Sequence, residues 1–107
     1  MDGHLIVSVD STRSEMTVIR LTGDLDIFTV DDFTGRAGEE IGEVAEHRLV
    51  VDLHELEFCD SSGVNALVRL WQRARKAGGT MVLMRVPVFL RDKLAYTGLG
   101  RLLAPDC

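Results

Sequence analysis

Cysteine, proline and aromatic residues are all scarce: the 107 residues include two Cys, two Pro, one Trp, one Tyr and four Phe. Cys59 and Cys107 have no regular spacing, which excludes a disulfide framework and a paired-cysteine zinc motif. His4, His47 and His54 have no Cys or carboxylate at ligand spacing, so no metal is expected. No P-loop and no G-x-G-x-x-G run is present, and no cofactor is expected. Long apolar runs are also missing. The most apolar segment, residues 81–90, is broken by Arg85 and Pro87 and is too short to span a bilayer. The first ten residues lack the basic start and apolar stretch of a signal peptide, so the expected compartment is the cytoplasm. Positive charge is the minority sign: 12 Lys and Arg against 17 Asp and Glu give a net charge of −5. Phosphate repels such a chain, which argues against nucleic acid and anionic membrane as partners and suits a basic protein.

What is present is an ordinary globular balance, 46% hydrophobic and 27% charged, which is enough for one packed core. The length fits one domain over residues 1–107. No repeat, linker or low-complexity tract interrupts it.

Hydrophobic period then sets the elements. Residues 5–9 and 16–22 read as two strands of a hairpin joined by a polar loop. Gly23 ends the second strand, and Asp24-Leu25-Asp26 reads as a loop. Thr29-Val30-Asp31-Asp32 has the Thr-x-x-acid form of a helix start. Phe33, Ala37, Ile41 and Val44 then form one apolar stripe of a helix ending before Arg48. Residues 49–53 are nearly all apolar, as in a strand covered on both faces. Asp60-Ser61-Ser62-Gly63 opens a second helix with a stripe of Val64, Leu67, Val68, Trp71 and Ala74, stopped by Gly78-Gly79. Residues 80–86 read as a buried strand, and Pro87 suits the start of a third helix carrying Phe89, Leu90 and Leu94. Gly98 stops that helix, and Leu99, Leu102 and Leu103 suggest a final edge strand. The order β-β-α-β-α-β-α predicts an α/β fold: one mixed, mostly parallel sheet of four or five strands with three or four helices layered on it.

The stretch richest in chemistry is Asp60-Ser61-Ser62-Gly63, which the sequence places on a loop after a buried strand. A helix N-terminus carries free N–H groups and partial positive charge, and it accepts an anion such as phosphate. A serine there is also open to a kinase. Ser and Asp are equally the preferred helix caps, and spacing alone favours capping for Asp60, Ser61 and Ser62. Asp24 and Asp26 suit acid–base catalysis, a cation site or a solvated turn, and spacing favours the turn. A hydrolase nucleophile at Ser61 would need the G-x-S-x-G elbow, which is absent, and a base such as His47 or His54.

Taken in order, these landmarks resemble a known family. Leu21-Thr22-Gly23-Asp24-Leu25-Asp26 is similar to its L-x-G-acid-(L or I)-D pattern. Val51-Asp52-Leu53, Phe58 and Asp60-Ser61-Ser62-Gly63 resemble its D-S-(S or T)-G signature, and Ala77-Gly78-Gly79 and Thr97-Gly98-Leu99 fit its later landmarks. The chain thus resembles the anti-sigma factor antagonists of the STAS fold over nearly its whole length. The resemblance implies no enzyme. It implies a protein that binds an anti-sigma factor, itself a serine kinase, and so frees a sigma factor. It implies that phosphorylation of Ser61 ends binding and that a serine phosphatase restores it. Asp26, Asp60, Ser61, Ser62 and Gly63 are then expected at the partner surface. Asn65-Ala66 departs from the family pattern. A structural STAS subunit of a transporter or stress-sensing complex is the alternative.

Overall fold

The computed structural model describes residues 4–13, 15–40 and 47–96. Strands β1 (Leu5–Arg13) and β2 (Met16–Leu25) form the expected antiparallel hairpin, with Val7 opposite Leu21 and Val9 opposite Ile19. The register slips between Asp10 and Arg13, a bulge next to the turn. Helix α1 (Val30–Glu40) leads to β3 (Arg48–Cys59), which runs parallel to β2. Helix α2 (Ser61–Lys76) leads to β4 (Thr80–Met84), parallel to β3, and helix α3 (Val88–Tyr96) follows. The sheet order is β1-β2-β3-β4, so the described residues hold four strands and three helices, as the sequence predicts.

Alternation puts Ile19, Leu21, Leu49, Val51, Leu53 and Leu83 on one face of the sheet, all essentially inaccessible. Phe33 and Ala37 of α1 and Leu67, Leu70 and Ala74 of α2 cover that face. The α2 stripe is displaced from the expected one. Ala66 and Leu70 are buried, while Val68 and Trp71 only flank the core. Asp52, between two core residues, points to the opposite face. It is only 2% exposed, and Arg85 grips it through two nitrogens while Arg20 lies 3.6 Å away. At the outer side of β1, the Arg36 guanidinium donates to the Val7 carbonyl at 2.7 Å.

Three boundaries and one cap differ from the sequence reading, although α1 does begin at Val30 as expected. β2 does not end at Gly23. It crosses that residue with φ +108°, where an added Cβ would stand 2.2 Å from the His4 carbonyl oxygen, and it continues to Leu25. β3 does not end at Leu53. It runs on to Cys59, pairing Asp24 with Phe58 and Leu25 with Cys59, and no loop delivers the serines. β4 stops at Met84 because Arg85 turns into the left-handed region, φ 54°. Thr29 does not make the expected capping box. Its Oγ turns back to accept from the Asp26 N–H and to donate to the Asp24 carbonyl. Ile41 and Val44, Gly98 and the suggested final strand lie outside the described residues.

Candidate functional site

Strands β2 and β3 end side by side, with Leu25 paired to Cys59, whereas β4 ends at Met84, opposite Asp52 and short of that rim. Asp26, after Leu25, and Asp60, Ser61, Ser62 and Gly63, after Cys59, gather at that end. Asp60 is the single residue between β3 and α2. It is an N-cap in extended conformation, and its Oδ1 accepts from the Gly63 N–H at 3.1 Å. The Asp60 N–H in turn donates to the Leu25 carbonyl at 3.2 Å, which ties the turn to the end of β2. The capping reading therefore holds for Asp60.

Gly63 is buried where α2 meets the sheet. A Cβ there would lie 2.6 Å from Cys59 Sγ and 2.7 Å from the Leu25 carbonyl oxygen. The first turn of α2 is thus seated directly on the core. Ser61 is the first helical residue and is exposed, and Ser62 beside it is half-buried. The Ser61 Oγ has no hydrogen-bond partner among the described residues. It is presented outward on a rigid platform rather than spent on capping.

Asp26 has a different role from a solvated turn. It is 8% exposed, and its Oδ1 accepts from the Phe28 and Thr29 N–H groups, while its carbonyl accepts from Val30. It therefore organises the connection from β2 into α1. Its place beside Leu25 brings it next to the Asp60 turn.

Large apolar side chains also stand in solvent, and of these the sequence reading marked only Phe58 and Phe89. Ile27 and Phe28 after β2, Phe58 at the end of β3, and Val88 and Phe89 at the start of α3 are large apolar side chains in solvent; Phe28 is 67% and Val88 73% exposed. Soluble surfaces seldom gather such side chains without a partner. The available signal was their position, two apolar pairs just before or within the first turn of a helix. Lys93 of α3 also reaches the edge: its Nζ donates to the Cys59 carbonyl at 2.6 Å and lies 5.9 Å from the Phe58 ring centroid. Burial pushes the Cys59 thiol up to about 12, partly offset by the Lys93 charge and reinforced by Asp60.

The hydrolase bases are elsewhere. His47 precedes β3, with Nε2 2.7 Å from Thr17 Oγ, and the 12 residues of that strand separate it from Ser61 by about 35 Å. His54 is exposed partway along β3. Among the described residues no group of three or more His, Cys, Asp or Glu could hold a metal ion, and no helix is long and apolar enough to cross a membrane.

Comparison with known proteins agrees with this architecture. The chain is 28% identical over 92 residues to an anti-sigma F factor antagonist of Lysinibacillus sphaericus, covering 86% of this chain and 79% of that protein. The unphosphorylated form of the anti-sigma factor antagonist SpoIIAA superposes with a TM-score of 0.80 at 24% identity, over 92% of this chain and 86% of the other. The phosphorylated form of the Bacillus cell fate determinant SpoIIAA gives 0.76 at 25% identity, over 92% and 89%. A family model described as the STAS domain matches residues 8–105, and with that match the chain belongs to the STAS domain family.

Proposed function

We propose that this protein is a cytoplasmic anti-sigma factor antagonist controlled by phosphorylation. In its unmodified form it binds an anti-sigma factor that is also a serine kinase, and so releases a sigma factor. The kinase transfers the γ-phosphoryl group of ATP to Ser61 Oγ, with loss of the hydroxyl proton and departure of ADP. The modified chain dissociates, and a serine phosphatase restores it. Its role is regulatory rather than catalytic.

The observation that carries this reading is the exposed Ser61 hydroxyl on the first residue of α2, at the paired ends of β2 and β3, where Phe58 and, just after β2, Ile27 and Phe28 stand in solvent. Apolar side chains in solvent supply binding energy to a protein partner. A serine among them supplies the control. A phosphoryl group brings about −1.5 to −2 charges into a contact that must desolvate, beside the carboxylates of Asp60 and Asp26. Its own fold tolerates the group, because the helix N-terminus favours negative charge. A loss of only about 3 kcal/mol in binding is a hundredfold change in affinity. The named relatives, one of them solved in a phosphorylated form, support the same reading.

The test is phosphopeptide mapping after incubation with ATP and the kinase encoded nearest to this chain. Stoichiometric phosphate on Ser61, lost in Ser61→Ala, is the expected result. Ser61→Ala should keep its affinity for the kinase, and Ser61→Asp should bind far more weakly. Equal affinities for the two variants, or phosphate confined to Ser62, would refute a switch at Ser61.

A further inference from the structure

We propose that the outer face of α2 is a docking surface for an acidic segment of another protein, held by charge along the helix and by a partly apolar cleft at its C-terminal end. The inference goes beyond the switch at Ser61 and does not depend on it.

Of the chain's 12 Lys and Arg, four sit on α2, and none of its 17 Asp and Glu does. Arg69, Arg73, Arg75 and Lys76 are all exposed. Among the described residues none of the four forms an ion pair. Arg69 and Arg73 are spaced i,i+4 and Arg73 and Lys76 i,i+3, so like charges are neighbours on one helical face and repel. An exposed helix gains stability by mixing the two signs at these spacings. The helix dipole favours cations in the last turn, which accounts for Arg75 and Lys76, but its reach ends before Arg69. Nor does the dipole place charge throughout this fold: the last turn of α1 holds Glu39 and Glu40 and no base. A local rule broken without a local gain marks a surface kept for contact.

The second observation is a cleft of about 450 Å³ at the end of α2, lined by Trp71, Arg75, Gly78, Gly79, Met81 and Val82 among others. The Arg75 guanidinium lies over the Trp71 ring, 4.9 Å from its centroid. A cleft of this size, with an indole and two apolar side chains in its lining, suits an aromatic or aliphatic anchor. The guanidinium at its side suits a carboxylate. An acidic segment carrying one large apolar residue meets both features.

The neighbours of α2 set the class of partner. The Arg73 guanidinium reaches α1, with both terminal nitrogens 3.1 Å from where a Cβ on Gly38 would stand. Helix α1 exposes Asp31, Asp32 and Glu39. A nucleic acid or an anionic bilayer extends beyond one helix and would meet those carboxylates, on a chain of net charge −5. A short acidic segment stays within the basic strip, which runs about 10 Å from Arg69 to Lys76 and starts about 12 Å along the helix from Ser61.

The probe is a short fluorescein-labelled peptide of Glu and Asp around a single Trp, with a Gln and Asn version as control, followed by anisotropy on the full chain. The acidic peptide should bind, the control should not, and raising salt from about 0.02 M to about 0.3 M should weaken binding about tenfold. Arg69→Gln combined with Lys76→Gln should weaken it about fivefold or more. The same double variant should keep or raise the urea midpoint, because it relieves repulsion. Amide shifts on peptide binding should centre on residues 69–82. No binding, or shifts centred on Phe58 and Ser61, would overturn the proposal, and a lowered urea midpoint would make these charges structural instead. Tighter binding to a single-stranded oligonucleotide or to phosphatidylserine vesicles would overturn it in favour of those partners. A salt-sensitive dimer in sedimentation, abolished by the double variant, would make a second copy the occupant. Ser61→Asp should bind the peptide as the parent does, so failure of the switch at Ser61 and failure of this surface are distinguishable.

Discussion

Replacing Gly63 by Ala reverses the usual effect of that substitution. In a helix, Gly to Ala gains about 1 kcal/mol, because alanine gives up less chain entropy. Gly35 in α1 meets that rule: it is exposed, and an added Cβ has nothing within 4 Å. Gly35→Ala should therefore stabilise the chain by about 0.5–1 kcal/mol. At Gly63 the same methyl would stand 2.6 Å from Cys59 Sγ, 2.7 Å from the Leu25 carbonyl oxygen and 2.9 Å from Leu25 Cγ. None of these can yield cheaply. Cys59 and Leu25 are fully buried, and one contact is backbone at the end of a paired strand. Overpacking of this kind costs about 1–3 kcal/mol, or more where backbone must shift. Net of the helix gain, Gly63→Ala should destabilise by about 1–2 kcal/mol, a fall in Tm of several degrees at this size. Urea unfolding of both variants beside the parent, read as a change in midpoint at constant m-value, decides it. Equal stabilisation by the two alanines would show that α2 does not rest on β2 as described, and the rigid platform under Ser61 would fall with it.

Leu67→Ala removes a side chain with no exposure at the centre of α2, and should cost about 2–5 kcal/mol in chemical unfolding; a loss under 1 kcal/mol would mean that the face is not buried. Burial pushes the Asp52 carboxyl up, but the Arg85 hydrogen bonds, the His54 amide and the charges of Arg85 and Arg20 together hold it below its ordinary 3.8. Its contribution is therefore complete above that ordinary value and is lost as pH falls through the lower folded one. Unfolding followed from pH 6 to pH 2 should show a shallower acid loss in Asp52→Asn, and identical slopes would refute the assignment. With the Cys59 thiol pushed up to about 12, a Cys107→Ser chain at pH 8 should resist Ellman's reagent until denatured; prompt reaction in native buffer would show that the thiol is not sealed.

The architecture was legible where periodicity was clean. The hairpin, the three helices and the strands at residues 49–53 and 80–84 all follow from runs of period two or from apolar blocks. What escaped was the far half of β3. Between Arg20 and Thr22, and again between Gly23 and Asp24, β3 carries one more residue than β2, so its side chains lose strict alternation. His54, Glu55, Glu57 and Phe58 are exposed, Leu56 and Cys59 are buried, and such a string reads as loop. The site was legible as a motif but not as a surface. Asp60, Ser61 and Gly63 could be placed from the serine signature, whereas Lys93 comes from an element 30 residues further on. The Asp26 environment was hidden because its partners are backbone amides, which leave no mark in sequence.

The Arg36 contact with Val7 bears on how this chain behaves at high concentration. The Asp24 N–H donates to the His4 carbonyl, and in an antiparallel ladder alternate pairs bond, so the Val7 carbonyl faces away from β2. A bare row of such groups is a template on which another chain can add a strand, the first step towards aggregates. Here a long cationic side chain from α1 occupies the middle of that row, and the bulge between Asp10 and Arg13 twists its far end. The outward side of β1 is thus stoppered by charge, even though Ile6 stands in solvent on the same strand. Self-association through β1 would have to break this contact first, so sheet growth is discouraged on the side of the molecule where the hairpin leaves an edge.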